Sequence, residues 1–479
     1  MIEHFELLAE QNFTGLETLD ICSPFDQNLI ATSDIAHAEL VESALSTAFA
    51  HYRDRSLWLS KSRRIEILQK TADLMQAQFD HLSIEAAREG GKPLVDSRIE
   101  VSRAIDGIRN SADCLRYNKG QEIPMGVNAA SENHLAMTSH EPIGVVVAVS
   151  AFNHPLNLIV HQIGPAIAAG CPVIVKPAQD TPLSCLRLVK ILREAGLPKE
   201  WCQALVITNR DLATQLVSDE RVGFLSFIGS AKVGWILRSK LTPGARCALE
   251  HGGVAPVILE ADADLPSTVP GITRAGFYHA GQVCVSVQRL FVHQSIVDEV
   301  LKTMTNLAES YKVGDPTLEK TDIGPLIRPA ETQRIHQWVQ EAITEGATLL
   351  AGGEIISDSC YQPTILLNPA KESKVSKQEV FGPVICVYSY ENIDDAIAQA
   401  NSLPFAFQAA VYTKNIDTAL KCYKHMDASA VMVNDHTAFR VDWMPFAGLK
   451  HSGLGVGGIP YTFHDMQVEK MLVMKSPEI

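Results

Sequence analysis

One cysteine is distinguished by its neighbours. Cys284 lies in the stretch AGFYHAGQVCVSVQR, where Ala280 and Gly281 precede it. A cysteine attacks a carbonyl carbon as its thiolate, which needs a base or a positive electrostatic field to form near neutral pH. Small neighbours would let substrate and backbone approach closely. The stretch alone leaves three interpretations open: a packing residue, a redox thiol and a nucleophile.

Three further motifs contain residues that could assist such a nucleophile. Glu250 precedes two glycines in ALEHGGVAP, where a carboxylate near the start of a strand could act as a mobile general base. Lys176 follows a buried strand in VIVKPAQDTPLS, where an ammonium group could reach ribose hydroxyls or a phosphate. Gly229 and Ser230 lie between a strand and a helix in FIGSAKVG, and a helix N-terminus favours an anion. Each could equally be structural, as a loop carboxylate, a solvated lysine and a capped helix.

The elements that carry these residues alternate along the chain. Apolar positions at three- and four-residue spacing predict helices from about Ala38 to Tyr117. From Pro142 to Ile258, the β-branched runs GVVVAVSAF, CPVIVKPA, ALVITN and GFLSFIGS alternate with helical stretches. This alternation predicts a doubly wound parallel sheet, in which ligands bind beyond the carboxyl ends of the strands. A second α/β stretch is predicted from about Ala255 to Asn434, and the tail HDMQVEKMLVMK is predicted to pair with an edge strand, in this chain or another subunit.

Composition narrows the class of protein. The 479 residues predict two or three domains, and a net charge of −14 argues against nucleic-acid binding. The ten cysteines form no CxxC pair, so neither a zinc ribbon nor a thioredoxin-like site is predicted, and no metal site is expected. The N-terminal stretch MIEHFELLAEQNF lacks a signal peptide's basic and apolar regions, and no apolar run reaches the ~18 residues of a membrane span. A cytoplasmic protein with reduced thiols is expected.

Seven motifs together resemble one family. AFNHP, KPAQDTP, FIGS, LEHGG, GQVC, EVFGPV and PFAGLKHSG occur in the order and spacing of the aldehyde dehydrogenase superfamily, over essentially the whole chain. The stretch NDHTAFRVDWMPFAGLKHSG further resembles the branch that holds lactaldehyde and phosphonoacetaldehyde dehydrogenases. In this family the Gly-Ser loop replaces the usual GxGxxG fingerprint, which is absent here because Ala231 stands in place of the second glycine.

The resemblance implies roles for individual residues. Cys284 resembles the thiolate nucleophile, Asn153 the side chain of the oxyanion hole, and Glu250 the base that activates water. The residues that resemble the family's cofactor contacts are Lys176, Gln179, Gly229, Ser230, Glu379 and Phe381. The implied reaction is the oxidation of an aldehyde to a carboxylic acid through a thiohemiacetal and a thioester on Cys284.

The resemblance also implies an α/β architecture with three parts. These are a Rossmann-type cofactor domain (1–122 and 141–249), an α/β catalytic domain (250–455) and a small β oligomerisation ribbon (123–140 and 456–479). The family's exchange of a tail strand between subunits predicts a homodimer or homotetramer.

Departures from the family bear on the cofactor. Gln179 stands where many members have a glutamate that hydrogen-bonds the ribose 2′-hydroxyl and repels a 2′-phosphate. Glutamine can make the hydrogen bond without the repulsion, so NAD is expected and NADP remains open. His251 replaces a common leucine, and Ala447 replaces a glycine of the PFGG motif.

The predicted substrate funnel is polar. Positions flanking the catalytic motifs supply His154, Asn157, His161, Val283, Val285 and Arg440. A polar funnel with one arginine suggests a short aldehyde carrying a hydroxyl, carboxylate, phosphonate or phosphate, which Arg440 could bind bidentately. Arg440 could instead pair with Asp435 or Asp442. Val283 differs from the arginine expected in the phosphonoacetaldehyde type.

Three alternatives remain. A coenzyme A-acylating relative would pass the thioester to coenzyme A, but such members usually lack the glutamate found here as Glu250. Cys284 could hydrolyse activated esters without a cofactor as a side activity. A non-catalytic binding or structural protein of the same fold would be expected to have lost site residues, yet Asn153, Glu250 and Cys284 are all present.

Overall fold

The computed structural model describes residues 2–11 and 13–479. Its strands are β1 (Glu3–Phe5), β2 (Thr18–Cys22), β3 (Leu29–Asp34), β4 (Glu122–Ile123), β5 (His134–Pro142), β6 (Val145–Val149), β7 (Val173–Lys176), β8 (Cys202–Ala204), β9 (Val222–Ile228), β10 (Arg246–Glu250), β11 (Pro256–Leu259), β12 (Arg289–His293), β13 (Thr348–Ala351), β14 (Thr364–Leu367), β15 (Val384–Tyr390), β16 (Phe405–Ala406), β17 (Gln408–Tyr412), β18 (Ala430–Val433), β19 (Leu449–Lys450), β20 (Gly453–Leu454) and β21 (Gln467–Lys475).

The α-helices are α1 (Ala38–Arg53), α2 (Lys61–Ala77), α3 (Phe79–Gly90), α4 (Leu94–Tyr117), α5 (Asn157–Ala169), α6 (Leu183–Glu194), α7 (Arg210–Val217), α8 (Ala231–Arg238), α9 (Leu265–Phe277), α10 (Val297–Ser310), α11 (Pro329–Thr344), α12 (Lys374–Lys377), α13 (Ile393–Ala400), α14 (Ile416–His425) and α15 (Ile459–Asp465). Short 3₁₀ turns span Arg55–Leu57, Tyr278–Gly281 and Gln294–Ile296. The helices predicted between Ala38 and Tyr117 are confirmed as α1 to α4.

The first large sheet is the predicted doubly wound one. Its order is β20-β10-β9-β6-β7-β8, and all neighbours are parallel except β20. β6 and β7 consist mostly of buried β-branched residues, as expected for strands covered on both faces. The strand predicted at ALVITN was wrong in extent. β8 ends at Ala204, and the chain then runs to Asn209, whose side chain accepts backbone N–H bonds at the start of α7.

A second sheet carries the other half of the chain. Its order is β13-β14-β15-β12-β11-β17-β18, with only β13 antiparallel to its neighbour. The motifs APVILE, PTILLN and VICVYSY form β11, β14 and β15, as predicted. Each large sheet has its own apolar core, one built mainly from residues before Glu250 and the other from residues 257–426. The proposed domain boundaries stay a prediction.

A three-stranded ribbon joins the C-terminal tail to strands from the first third of the chain. β21 pairs antiparallel with β5 along its whole length, and β5 pairs with β4. The predicted pairing of the tail with the bridging ribbon is therefore confirmed within one chain. The helix before this tail strand, α15, packs Ile459 and Phe463 into the first core. No helix among residues 2–11 and 13–479 is both long enough and apolar enough to cross a bilayer.

A fully buried ion pair supports the start of α5. Lys92 bonds the Glu100 carboxylate on α4, and neither side chain is exposed. The second carboxylate oxygen of Glu100 accepts the backbone N–H groups of Leu156 (2.9 Å) and Asn157 (3.0 Å). These donors at the helix N-terminus have no intrahelical partner, so Glu100 caps α5 from another element. The pair thereby holds the loop that carries Asn153.

Replacing Lys92 with methionine is expected to destabilise the protein strongly. The variant leaves a buried carboxylate without its cation, which typically costs about 3–5 kcal/mol. Thermal unfolding of Lys92→Met would measure the loss. The matched control is Arg98→Met, whose partner Glu319 is exposed, and a much smaller loss is expected there because solvent screens the pair. Equal losses in the two variants would contradict this account of the pair.

Candidate active site

One cavity of about 800 Å³ lies at the carboxyl ends of β6, β7, β9 and β10. From the second sheet it receives the loops that precede β12 and β15. Eleven of the twelve residues predicted for the site line this cavity: Asn153, His154, Lys176, Gln179, Gly229, Ser230, Glu250, Cys284, Glu379, Phe381 and Arg440. His161 is the exception, because it is buried behind the cavity wall. The fold thus brings together segments that are up to 287 positions apart, from Asn153 to Arg440.

A strained turn presents Cys284. His279 (φ 49°), Ala280 (φ 54°) and Gly281 (φ 70°) all adopt left-handed backbone conformations, which are costly for residues other than glycine. A Cβ atom at Gly281 would lie 2.0 Å from the carbonyl oxygen of Gly382. Neither Ala280 nor Gly281 lines the cavity, so the room that they were expected to make for substrate is not found there. The close approach of backbone that was expected at these small residues is found at Gly281, where the turn meets the backbone next to Phe381.

Asn153 is joined directly to the cysteine loop. Its side-chain Nδ2 donates a 2.8 Å hydrogen bond to the backbone carbonyl of Gln282. Gln282 is itself held, because its Oε1 accepts the N–H of Ile327 and its Nε2 donates to the carbonyl of Pro325. One N–H of the Asn153 amide is therefore committed to orientation, and the second can serve an oxyanion formed at Cys284.

The Asn153→Ala variant is expected to lose kcat by about 10²–10³-fold, the usual cost of removing one oxyanion donor. Cofactor affinity should change little, because the lost hydrogen bond stabilises only the charged transition state. Steady-state kinetics and a separate titration with reduced cofactor would measure the two quantities. Asn110→Ala is the control, since its side-chain amide donates to Asp106 on α4, outside the cavity. A rise in KM with kcat unchanged would refute the oxyanion role.

Glu250 is the last residue of β10, a strand that was not predicted, and it comes shortly before β11. Its backbone carbonyl accepts the N–H of Gly229, and its side chain is 15% exposed. Burial raises the pKa of the Glu250 carboxyl, while the positive charges of Arg440 and Arg103 oppose that rise. A carboxyl with a raised pKa is a stronger base once ionised, which suits a residue that must take a proton from water.

The surroundings of Cys284 disfavour its thiolate form. Burial raises its pKa well above the ordinary value, and the carboxylates of Glu250 and Glu379 add to the rise. Arg440 is the cation that acts in the opposite direction. Formation of the thiolate at Cys284 therefore depends on positive charge and hydrogen-bond donors at its side of the cavity.

The other end of the cavity has groups that fit a nicotinamide dinucleotide. Glu379 accepts a 3.3 Å bond from the N–H of Gly253, which leaves its carboxylate able to accept ribose hydroxyls. A Cβ at Gly252 would lie 1.8 Å from a Glu379 oxygen, so glycine there is required by this cradle. Lys176 ends β7, and its Nζ donates to the adjacent Pro177 carbonyl at 3.2 Å. Burial lowers the pKa of the Lys176 ammonium, against the opposing charge of Asp180.

Ser230 is the N-cap of α8, as predicted, but its hydroxyl makes no capping bond to the helix. The first-turn N–H groups of α8 are therefore open to a phosphate. Phe381, with φ at 49°, meets the edge of Phe152 across the cavity wall, with ring centroids 5.8 Å apart. These observations agree with a cofactor lying along this wall from Lys176 towards Cys284.

His251, the departure from the usual leucine, is a packing residue for α8. Its ring meets Phe227 and Trp235 edge-on, and its Nδ1 donates to the His451 carbonyl at 2.9 Å. A Cβ at Gly234 would lie 2.0 Å from the His251 Nε2. Histidine at 251 and glycine at 234 therefore depend on each other. The sequence contains both residues, but nothing in it signals that they touch.

Arg440 does not pair with either of the two aspartates considered from the sequence. Its nearest carboxylate is that of Glu250, at 3.8 Å between Nη1 and Oε1. Asp442 is occupied instead by Arg103, which donates bonds of 2.7 and 3.0 Å to its two oxygens. The predicted pairing with Asp435 or Asp442 was therefore wrong. Arg103 was missed because it lies on α4, far from every motif in sequence.

The fold and the site together define a class of protein. A doubly wound dinucleotide-binding sheet, a cysteine and a buried glutamate that share one cavity are typical of oxidoreductases that act on aldehydes. The sequence profile described as the Aldehyde dehydrogenase family matches residues 12–472, and the chain belongs to this family. It is an NAD(P)-dependent aldehyde-oxidising enzyme with the α/β fold of that family.

Individual relatives are similar over nearly their whole length. A 3-sulfolactaldehyde dehydrogenase of Priestia aryabhattai is 36% identical over 462 residues, which cover 96% of each chain. A lactaldehyde dehydrogenase of Methanocaldococcus jannaschii is 34% identical over 472 residues, covering 98% of this chain and 100% of the relative. A solved glyceraldehyde-3-phosphate dehydrogenase of Methanocaldococcus jannaschii, complexed with NADP, is 33% identical with a TM-score of 0.92, covering 97% of this chain and 100% of its own.

Proposed function

We propose that this enzyme oxidises a short polar or anionic aldehyde to its carboxylic acid, with Cys284 as nucleophile, Asn153 as oxyanion donor and Glu250 as general base. The observation that carries the proposal is that these three side chains border one cavity with Arg440 at its wall. A nicotinamide dinucleotide bound along Lys176 and Glu379 supplies the hydride acceptor.

The first half of the reaction is carried by Cys284 and Asn153. The thiolate sulfur forms a bond to the aldehyde carbon, and the carbonyl oxygen becomes an oxyanion. The free N–H of the Asn153 amide and the backbone N–H of Cys284 are the donors proposed for that oxygen. Fixed donors stabilise the developing charge without reorganisation, because the Gln282 carbonyl already orients the amide. Loss of hydride from the adduct leaves a thioester on Cys284.

The second half is carried by Glu250. Its carboxylate takes a proton from water, the water oxygen attacks the thioester carbon, and the carbon–sulfur bond breaks to release the acid and the thiolate. Splitting the reaction into acylation and hydrolysis is the usual advantage of a covalent nucleophile. The presence of Glu250 at the cavity wall favours hydrolysis over transfer of the acyl group to coenzyme A.

The substrate class follows from the cavity wall. The Nη1 of Arg440 lies 3.8 Å from the Glu250 carboxylate, too far for a hydrogen bond, so the guanidinium at the cavity wall can still donate to an anion. His154 and Asn157 add polar groups to the same wall. The names of the three relatives all denote aldehydes with a neighbouring hydroxyl or an anionic group. Lactaldehyde and sulfolactaldehyde are accordingly the first candidates, and phosphonoacetaldehyde is kept from the sequence resemblance although Val283 departs from that type. His161 lies behind Arg440, with its Nδ1 3.4 Å from Nη2, and we propose no direct contact between His161 and the substrate.

The preferred cofactor is proposed to be NAD, with NADP as the competing choice. Gln179 lines the cavity beside Lys176 and carries no charge that would repel a 2′-phosphate. The relative solved with NADP supports keeping both cofactors in the test.

We further infer a homodimer or homotetramer in the cytoplasm. The tail strand β21 leaves Met471, Leu472 and Val473 about half exposed, as expected for a strand that meets another subunit. All ten cysteines are free thiols, which suits a reducing compartment.

The deciding experiment follows formation of reduced cofactor with a panel of aldehydes, using NAD and NADP in parallel. The panel contains lactaldehyde, glycolaldehyde, sulfolactaldehyde, phosphonoacetaldehyde, succinic semialdehyde and an aliphatic aldehyde. Highest kcat/KM for an anionic or hydroxylated member is the expected result. Preference for the aliphatic aldehyde would refute the proposed substrate class.

A further inference from the structure

The guanidinium of Arg440 is buried and incompletely partnered. The side chain is 9% exposed, and its Cζ lies 3.5 Å from the centroid of the Phe446 ring. Among the described residues its Nε makes no hydrogen bond, and its Nη1 faces the Glu250 carboxylate at 3.8 Å. This separation allows an ion pair but is too long for a hydrogen bond. Arg440 therefore faces the general base directly while it lies against Phe446 on another side.

A chain of hydrogen bonds fixes Arg440 from the far side. Its Nη2 lies 3.4 Å from the Nδ1 of His161, and because a guanidinium can only donate, Nδ1 must accept. The ring proton of His161 is then on Nε2, which donates to Asp442 at 2.6 Å. Asp442 also accepts two bonds from Arg103. The order of contacts is Arg103, Asp442, His161, Arg440 and Glu250.

The ionisation of this chain follows from its burial. Burial, with the nearby charge of Arg440, lowers the pKa of His161 to about 4, although Asp442 opposes the shift. Burial alone would raise the pKa of Asp442, but the bonds from His161 and Arg103 hold it well below its usual range. His161 is therefore neutral and Asp442 ionised near neutral pH. The charged groups that act on Glu250 are then Arg440 and Arg103, and those that act on Cys284 are Glu250, Glu379 and Arg440.

We propose that Arg440 is a positioning residue for the reaction: it holds the Glu250 carboxylate at the cavity wall and supplies the positive charge that both Glu250 and Cys284 require, while His161 and Asp442 keep it in place. The inference rests on the proposed function, since it concerns the base and nucleophile named there. This role of Arg440 does not depend on whether the substrate carries an anionic group. The inference also gives His161 a role behind the wall, where the structure places it.

The sign of the effect on pH dependence is determined by the charge of Arg440. Its positive charge lowers the pKa of the Glu250 carboxyl and of the Cys284 thiol, against the larger effect of burial. Removing the charge raises both pKa values. The acidic limb of the kcat profile and the inflection of Cys284 alkylation should therefore both move to higher pH.

The test is the Arg440→Met variant, examined in two ways. The pH dependence of kcat with the neutral substrate lactaldehyde should shift upward by about one unit or more. The pH dependence of iodoacetamide alkylation of Cys284, in protein without cofactor, should shift in the same direction. Arg440→Lys should restore part of both shifts, because it keeps the charge. Arg109→Met is the control, since Arg109 also lies 3.8 Å from a carboxylate oxygen, that of Asp73, but at the surface.

The possible outcomes separate the inference from the proposed function. Unshifted profiles, with only KM for anionic aldehydes raised, would overturn the inference and leave Arg440 as a substrate anchor. Absence of turnover with every aldehyde in the wild type would refute the proposed function, and the alkylation profiles would still decide the inference.

If Arg440→Met does not fold, His161→Leu replaces it. That variant removes the bond to Arg440 and should shift both profiles in the same direction by less, and unshifted profiles would again overturn the inference.

Discussion

The Cys284→Ala variant is expected to form no measurable reduced cofactor with any aldehyde, a loss of at least about 10⁴-fold. The reason is that no other thiol can replace it. Cys284 is the one cysteine that lines the cavity among the described residues, and the turn over His279–Gly281 aims it there. Spectrophotometric assay of reduced nicotinamide formation would measure the loss. Binding of NAD or NADP, measured by calorimetry, should be nearly unchanged because the cofactor contacts remain.

A second cysteine provides the control for this variant. Cys114 on α4 is also partly exposed but lies outside the cavity, so Cys114→Ala should keep full activity. Residual turnover of Cys284→Ala above about 1% of wild type would contradict a covalent mechanism through this residue. Loss of cofactor binding in the variant would indicate instead that the substitution disturbs the turn.

The Glu250→Gln variant is expected to stop after one turnover. Glutamine has nearly the shape of glutamate but cannot take a proton from water, so the thioester on Cys284 should accumulate. Stopped-flow measurements should show a burst of about one reduced cofactor per site, followed by a steady state slower by about 10²–10⁴-fold. Mass spectrometry of the quenched protein should find the acyl group on Cys284.

The pH dependence provides a second signature of Glu250. Burial raises the pKa of its carboxyl above the ordinary value of 4.5, so the wild-type steady state should increase with pH through that raised pKa, as the base ionises. The Glu250→Gln variant should lose this limb. Glu260→Gln is the control, because Glu260 accepts a bond from Tyr390 and lies outside the cavity. A variant without a burst would show that acylation fails, and the assignment of Glu250 to hydrolysis would be wrong.

Much of the architecture was predictable from residue patterns. Continuous β-branched runs such as GVVVAVSAF and VICVYSY can be buried on both faces only in the interior of a parallel sheet, and they form β6 and β15. The prediction of strand extent failed where an apolar run continued past the end of its strand. The apolar stretch ALVITN contains one residue of β8, because the chain leaves the sheet there to reach the cap of α7 at Asn209.

The interpretation of individual site residues was less complete. The order of the motifs identified Cys284, Asn153 and Glu250 as candidate site residues, and all three line one cavity. Gly281 was expected to let substrate and backbone approach closely, and its close contact is backbone alone, the carbonyl of Gly382, about one hundred residues away. The partner of Arg440 was misjudged, because proximity in sequence favoured Asp435 and Asp442 over Glu250.

The sequence by itself determined the family, the order of the elements and the chemical types in the site, because these depend on local periodicity and on motifs read along the chain. Only the tertiary structure decided which charges meet. Arg103, His161, Glu250 and Arg440 come from four separate segments, and Coulomb forces and hydrogen bonds depend on distance in space. A buried guanidinium pairs with the carboxylate that packing brings within 4 Å, which here is Glu250 at 3.8 Å.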